Sequence, residues 1–388
     1  MVCLIQLFFR DQFIYAQLQR ELPELSFYGS METGSVAKLY GNRQHLFETF
    51  FEASFGIKLR GSLHKFAHGD NADTFTISEI KRCVRELMKI YHIPRNAPIQ
   101  RIELSINLPF ACPEVVIDSA MLYNGRRGDR YTRKDYYARE WAFTSKWKDS
   151  EGKTRERVYY VVKLYKKADH ILRYELHIED IRKIAKTGIK VIADLLDDRK
   201  LLLALKYLYD SISKLFFVPD DPKKKLPGPL HDIWGTYRGD TFWRQYDERE
   251  NKDAKCKLKK DITEAIQTYD LIDWQTVMRE RFLVEGANIA EMSVRELSST
   301  FSQLGLQAET VADPTGESDR NTEEVDTVTI LRENCDSQKM ALADTILVQF
   351  NQSVANEGLM LDVSISKVLG CLTLLPRGPP AQRYSVLH

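Results

Sequence analysis

Between Val158 and Ile178 the sequence VYYVVKLYKKADHILRYELHI alternates its side chains twice, and a period of two admits strands and little else. Val158, Tyr160, Val162 and Leu164 share one face of the first run, and Tyr159, Lys163, Tyr165 and Lys167 share the other. A turn is expected at Lys167 to His170. Beyond it Leu172, Tyr174, Leu176 and Ile178 point one way, and Arg173, Glu175 and His177 the other. The pattern predicts a hairpin with one face in a core and one carrying tyrosines, lysines, an arginine and a carboxylate. A half-buried sheet ordinarily solvates its polar face, so alternation alone does not separate a working surface from a wet one.

The same period recurs in residues 101–109, RIELSINLP, where Ile102, Leu104, Ile106 and Leu108 oppose Glu103, Ser105 and Asn107. Residues 56–64 alternate as well, with Ile57, Leu59 and Leu63 inward and Lys58, Arg60, Ser62 and His64 outward. They lead into a polar turn at 65–71. His64 and His68 lie four apart, but strand-to-turn backbone does not give them the i,i+4 geometry of a helical ligand pair. A helix is expected next: Thr76 and Glu79 have capping-box spacing, Ile80, Val84, Leu87, Met88 and Tyr91 recur at helical intervals, and Pro94 and Pro98 stop it.

Residues 122–141 are rich in arginine and tyrosine, a composition that suits phosphate contact and base stacking and equally an exposed loop. From Ile181 to Phe217 the spacing turns helical. In residues 222–260 Lys and Arg outnumber Asp and Glu almost two to one, interleaved with Trp234, Tyr237, Phe242, Trp243 and Tyr246. That fits either a nucleic-acid-facing arm or a solvated amphipathic helix. Residues 291–345 are strongly acidic, as a disordered linker would be.

The formal net charge of +1 excludes a generally basic coat, so any nucleic-acid surface must come from local clustering. Cys3, Cys83, Cys112, Cys256, Cys335 and Cys371 are scattered without a C-x-x-C pair, which suits a reducing cytoplasm. The opening MVCLIQLFF reads as a first strand or helix rather than a signal peptide. No apolar run approaches the roughly 20 residues of a membrane span, so a soluble, cytoplasmic protein without a membrane partner is expected. The expected fold class is α+β: a mostly antiparallel sheet with packed helices, followed by a helical arm and a disordered acidic tail. The expected boundaries are 1–219 for the α+β domain, 220–288 for the basic-aromatic arm, 289–345 for the linker and 346–388 for the tail.

The pair VVKLYKK and LRYELHI resembles two strands of the filamentous-phage gene II/X replication initiators, with related strands in plasmid rolling-circle initiators. GSLHKFAHGDN is similar to the G-S-x-x-K-x-x-x-G-x-N stretch of that group, and RIELSINL to its (I/L)-E-x-x-(V/I)-N-(I/L) strand. Order and spacing also match such proteins carried by Bacteroidetes mobile elements, over roughly residues 56–217. Lys166 stands where the family prefers Asp, Asp70 where it often has histidine, and no His-hydrophobic-His triplet is present.

The resemblance implies a replication initiator of a phage, plasmid or mobile element. Such a protein nicks and joins single-stranded or origin DNA through a tyrosine–phosphodiester linkage with Mg²⁺ or Mn²⁺. It implies Tyr165 as nucleophile, with Tyr159 or Tyr160 as substitutes, and Lys167 as a catalytic cation. Glu103 and Glu175 are the implied metal ligands. Lys65, Lys163, Arg173, Arg126, Arg127, Arg130 and Lys134 are the implied DNA contacts, and a host replication helicase or polymerase a further partner. Two alternatives stay open: a non-catalytic DNA-binding protein that recognises an origin or element end, and an interaction protein whose polar strand face is only solvated.

Overall fold

The alternating runs pair into one eight-stranded sheet in a computed structural model describing residues 1–308, apart from 22–25, 29–37, 41–46, 53, 134–135, 149–151, 222–224 and 250–251. The chain divides into Met1–Ala312 and Asp313–His388; the second unit, with the tail expected at 346–388, lies outside the described residues. In spatial order the sheet runs β4 (Phe47–Glu52), β5 (Gly56–Ser62), β1 (Val2–Arg10), β6 (Ile99–Pro109), β12 (Ile171–Ile178), β11 (Thr154–Ala168), β10 (Tyr136–Lys148) and β9 (Asp129–Arg133), labels following chain order. Every neighbouring pair is antiparallel. Small sheets are formed by β2 (Ser26–Tyr28) with β3 (Lys38–Tyr40), and by β7 (Ala120–Tyr123) between β8 (Arg126–Arg127) and β13 (Leu215–Phe217). The helices are α1 (Gln12–Glu21), α2 (Leu63–His68), α3 (Ile77–Ile90), α4 (Pro113–Ser119), α5 (Asp198–Ile212), α6 (Gly228–Tyr237), α7 (Asp240–Arg249), α8 (Lys252–Thr268), α9 (Trp274–Ala290) and α10 (Val294–Ala308). None of them is long and apolar enough to cross a membrane.

The α+β class and the hairpin stand as expected. Ile102, Leu104, Ile106 and Leu108 of β6 join Leu172, Tyr174, Leu176 and Ile178 of β12 and Val162 and Leu164 of β11 in one core. Ile80, Val84 and Leu87 of α3, Leu201, Leu205 and Leu208 of α5, and Met278 and Phe282 of α9 belong to it as well. Fully burying each such aliphatic chain contributes about 1.5–3 kcal/mol, which fixes which face of each strand is inside. The Tyr174 hydroxyl, buried here, is satisfied by Ser211 Oγ at 2.8 Å. The capping box at Thr76 and Glu79 forms, and opens α3.

Four stretches differ from the sequence reading. Leu63–His68 is helical rather than strand and turn: Ser62 accepts a hydrogen bond from the Lys65 N–H, and Gly69 closes the helix at φ 83°, a conformation natural to glycine. Residues 181–217 are not one helical run, because 3₁₀ turns at Ile181–Thr187 and Ile192–Leu196 precede α5, and β13 follows it. The arm's tryptophans are not presented to solvent. Trp234 and Trp243 pack with Ile262, Ile266, Met121 and Leu122 in a second core, their indole N–H groups donating to the carbonyls of Pro219 and Tyr237. Finally, the segment expected to be linker from 289 begins as helix: Ser293 and Glu296 cap α10 reciprocally, and Leu297 and Phe301 are buried. Acidity summed over the whole segment hid that local apolar spacing.

Candidate functional site

Register brings the polar side chains of three strands into rows across the sheet. Lys163, Glu175 and Ser105 oppose one another, as do Tyr165, Arg173 and Asn107, and as do Val161, His177 and Glu103. Directly opposed residues in antiparallel strands share a face with Cβ atoms ~5 Å apart. Tyr165, Glu103 and Glu175 therefore occupy one side of the sheet, as the sequence implied.

Arg173 is the hub of this face and is only 1% exposed. Its Nε donates to Glu175 Oε2 at 3.2 Å, its Nη1 to the Asn71 carbonyl at 3.0 Å and to Asn107 Oδ1 at 3.3 Å, and its Nη2 to Cys3 Sγ at 2.8 Å. Cys3 also hydrogen-bonds Ser105 Oγ at 2.8 Å. Burial opposes its thiolate, but Arg173 and the His64 side chain outweigh burial and hold the thiol pKa down at about 7. Tyr165 Oη donates to Glu175 Oε2 at 3.3 Å. Burial and the adjacent Glu175 push the phenol pKa well above its ordinary value.

The two carboxylates sit in opposed electrostatic states. Burial and the nearby Glu103 raise Glu175. Glu103, despite burial, is held low by a hydrogen bond from His177 Nδ1 at 2.5 Å. His177 donates its other nitrogen to Glu179 at 2.7 Å, and these two acids overcome burial to raise its pKa. One donor atom each from Glu103, Glu175 and His177 lies within 4.8 Å of the others. A buried carboxylate repelled by its neighbour gains from a bound cation. Two oxygens and an imidazole suit Mn²⁺, and the oxygens suit Mg²⁺. The donor set fits the implied metal.

Lys163 and Lys167 flank these groups, and Lys167 is lowered by burial, Arg173 and Lys65. Lys65 is exposed on α2. The register pairs Lys166 with Leu172 and Ala168 with Ile171, which leaves Lys167 as the extra residue of a bulge. Bulges re-aim side chains beside functional sites. Lys166, in the family's Asp position, instead pairs with Glu114 at 2.7 Å. Tyr136 and Tyr131 extend the row outward from Tyr165, with ring centroids 5.8 and 6.0 Å apart in succession.

The other implied residues do not converge here. Arg130 is opposite Arg139, on the core side of the sheet, and binds Asp118 at 2.7 Å. Arg126 lies over the Phe143 ring and Arg127 pairs with Asp129. Lys134 lies outside the described residues. Of the substitute tyrosines, Tyr160 stacks on Phe143 and Tyr159 lies under Lys183. Neither is within the carboxylate cluster. In the sequence His177 falls on the polar face with no motif to give it a role, and nothing signals Cys3, which enters the site from β1 by pairing far along the chain.

No family model matches the chain, and no curated protein matches it. Among solved structures it is similar to a rolling-circle replication initiator protein from Geobacillus stearothermophilus, at 12% sequence identity and a TM-score of 0.31, covering 62% of this chain and 95% of that one.

Proposed function

We propose that this protein is a replication initiator of the rolling-circle kind that nicks and rejoins single-stranded DNA at an origin through Tyr165. One observation carries the reading: a phenol hydrogen-bonded to a carboxylate of a two-glutamate, one-histidine cluster, with arginine and lysines beside it. The strand motifs that resemble the phage and plasmid initiators support it independently.

In the proposed reaction Tyr165 Oη attacks a backbone phosphorus and passes its proton to Glu175 Oε2. The P–O3′ bond breaks as the Oη–P bond forms, leaving a 5′-phosphotyrosine, and the departing 3′ oxygen takes a proton from Lys167. Rejoining is the reverse, with the 3′-hydroxyl as nucleophile. Glu103, Glu175 and His177 would hold the divalent cation, which when bound polarises the phosphate and stabilises its developing charge. Arg173 orients Glu175, and Lys163 and Lys65 bind flanking phosphates.

The raised phenol pKa and the buried Arg173–Glu175 pair favour a second reading, a DNA-binding protein that recognises an origin or element end without cutting. A labelled single-stranded oligonucleotide carrying the element's own origin separates the two. Nicking predicts a Mn²⁺- or Mg²⁺-dependent covalent adduct, absent in Tyr165→Phe and formed ~10²–10⁴-fold more slowly in Glu175→Gln. Tight binding with no adduct overturns the proposal, as does an adduct retained in Tyr165→Phe and lost in Tyr159→Phe.

A further inference from the structure

A second cluster of donor atoms lies beside the first and does not depend on the nicking reading. His64 and His68 sit one turn apart on α2, so their rings share a face. Asp73, from the loop that follows, meets both: its Oδ1 accepts from His64 Nε2 at 2.6 Å and its Oδ2 from His68 Nδ1 at 2.7 Å. These donor atoms lie within 4.8 Å of one another.

Both rings are held in place by their surroundings. His64, 2% exposed, is stacked on Phe75 with centroids 4.7 Å apart and an interplanar angle of 8°. The far nitrogen of His68 donates to Glu79 at 3.0 Å. A carboxylate behind a ligating histidine is the usual arrangement in metal sites, where it fixes the tautomer and ring orientation. The second oxygen of Glu79 accepts from the Thr76 N–H at the start of α3, so that carboxylate is anchored in turn. Two imidazoles and one carboxylate, with Asp73 reaching solvent, form a three-ligand set that one water would complete to four, a donor mix suited to zinc.

We propose that His64, His68 and Asp73 bind a divalent transition cation of the zinc class, with Glu79 orienting His68. The cation would fasten the loop between α2 and α3. That loop is already gripped on its other side, where Asn107 Nδ2 donates to the carbonyls of Asn71 and Ala72, and Arg173 Nη1 to that of Asn71. Metal at the histidines would therefore hold the backbone that positions Arg173, a structural role distinct from that of the oxygen-rich glutamate site.

The test uses the full chain, stripped with a chelator and titrated with Co²⁺ and Zn²⁺. The expected result is one equivalent giving the visible absorption of four-coordinate Co²⁺, with a Zn²⁺-induced rise in Tm. Both signals should persist in Glu103→Gln/Glu175→Gln and vanish in His64→Gln/His68→Gln. If the double histidine variant is insoluble, Asp73→Asn, altered at a largely exposed side chain, is expected to lose the band. Absence of the band and of any Tm shift in the wild type overturns the proposal and leaves a hydrogen-bonded histidine clamp on Asp73. The same band in the histidine variants also overturns it, by assigning the metal elsewhere.

Discussion

Replacing Arg173 with methionine removes the cation from a pair whose side chains are 1% and 7% exposed. Methionine fills much of the volume, so the loss is electrostatic rather than a cavity. Glu175 keeps its burial and the repulsion of Glu103 but loses its nearest counter-charge, while Asn71, Asn107 and Cys3 each lose a donor. Breaking a buried ion pair from one side costs about 3–5 kcal/mol. With urea m-values of about 1–3 kcal/mol/M, the unfolding midpoint should fall by ~1–5 M. Adding Glu175→Gln to the same chain removes the orphaned charge and should recover about 1–3 kcal/mol. Urea titrations followed by near-UV circular dichroism measure all three variants. A loss under ~1 kcal/mol in Arg173→Met, or a double variant no better than the single, would refute the account of a charge hub.

Two further outcomes follow from the same geometry. The folded-state pKa of His177 is raised above 6.5, so its contribution is complete below 6.5 and fades as pH rises through the folded value; Glu103 is lowered below 4.5, so its contribution holds above 4.5 and is lost as pH falls through its folded value. Tm measured over a pH series should show both limbs, and His177→Gln should flatten the alkaline one; an unchanged alkaline limb contradicts the assignment. Trp243→Ala, at a fully buried position of the second core, should cost about 3–5 kcal/mol and open residues 228–268 to limited proteolysis, and an unaltered cleavage pattern would show that the arm does not depend on it.

The faces of β6, β11 and β12 were readable because each apolar residue alternates with a polar one, and a register slip by one residue would turn Leu164 and Tyr174 out of the core. Tyr165, Glu103 and Glu175, put on one face by that alternation and given roles by the resemblance, therefore meet. Helix α2 was missed because six residues are too few for a 3.6-residue period to declare itself. Its evidence lies in Ser62 and Gly69 as caps, which also read as strand end and turn. With α2 went the histidine geometry. The aromatic arm misled because composition does not say which way a tryptophan points: Trp234 and Trp243 fill an interior. Arg126, Arg127 and Arg130 were grouped by closeness in sequence, whereas strand pairing sends Arg130 to the far side of the sheet.

The hydrogen bond from Tyr165 to Glu175 spans ten residues, that from His177 to Glu103 seventy-four. The first can form as soon as a hairpin closes, on a microsecond scale. The second waits for β12 to dock against β6, which requires closing the whole intervening loop. A chain still finding its tertiary structure thus holds the phenol beside Glu175 while Glu103 is still elsewhere. Assembly itself keeps the three donor groups apart until β12 and β6 have paired.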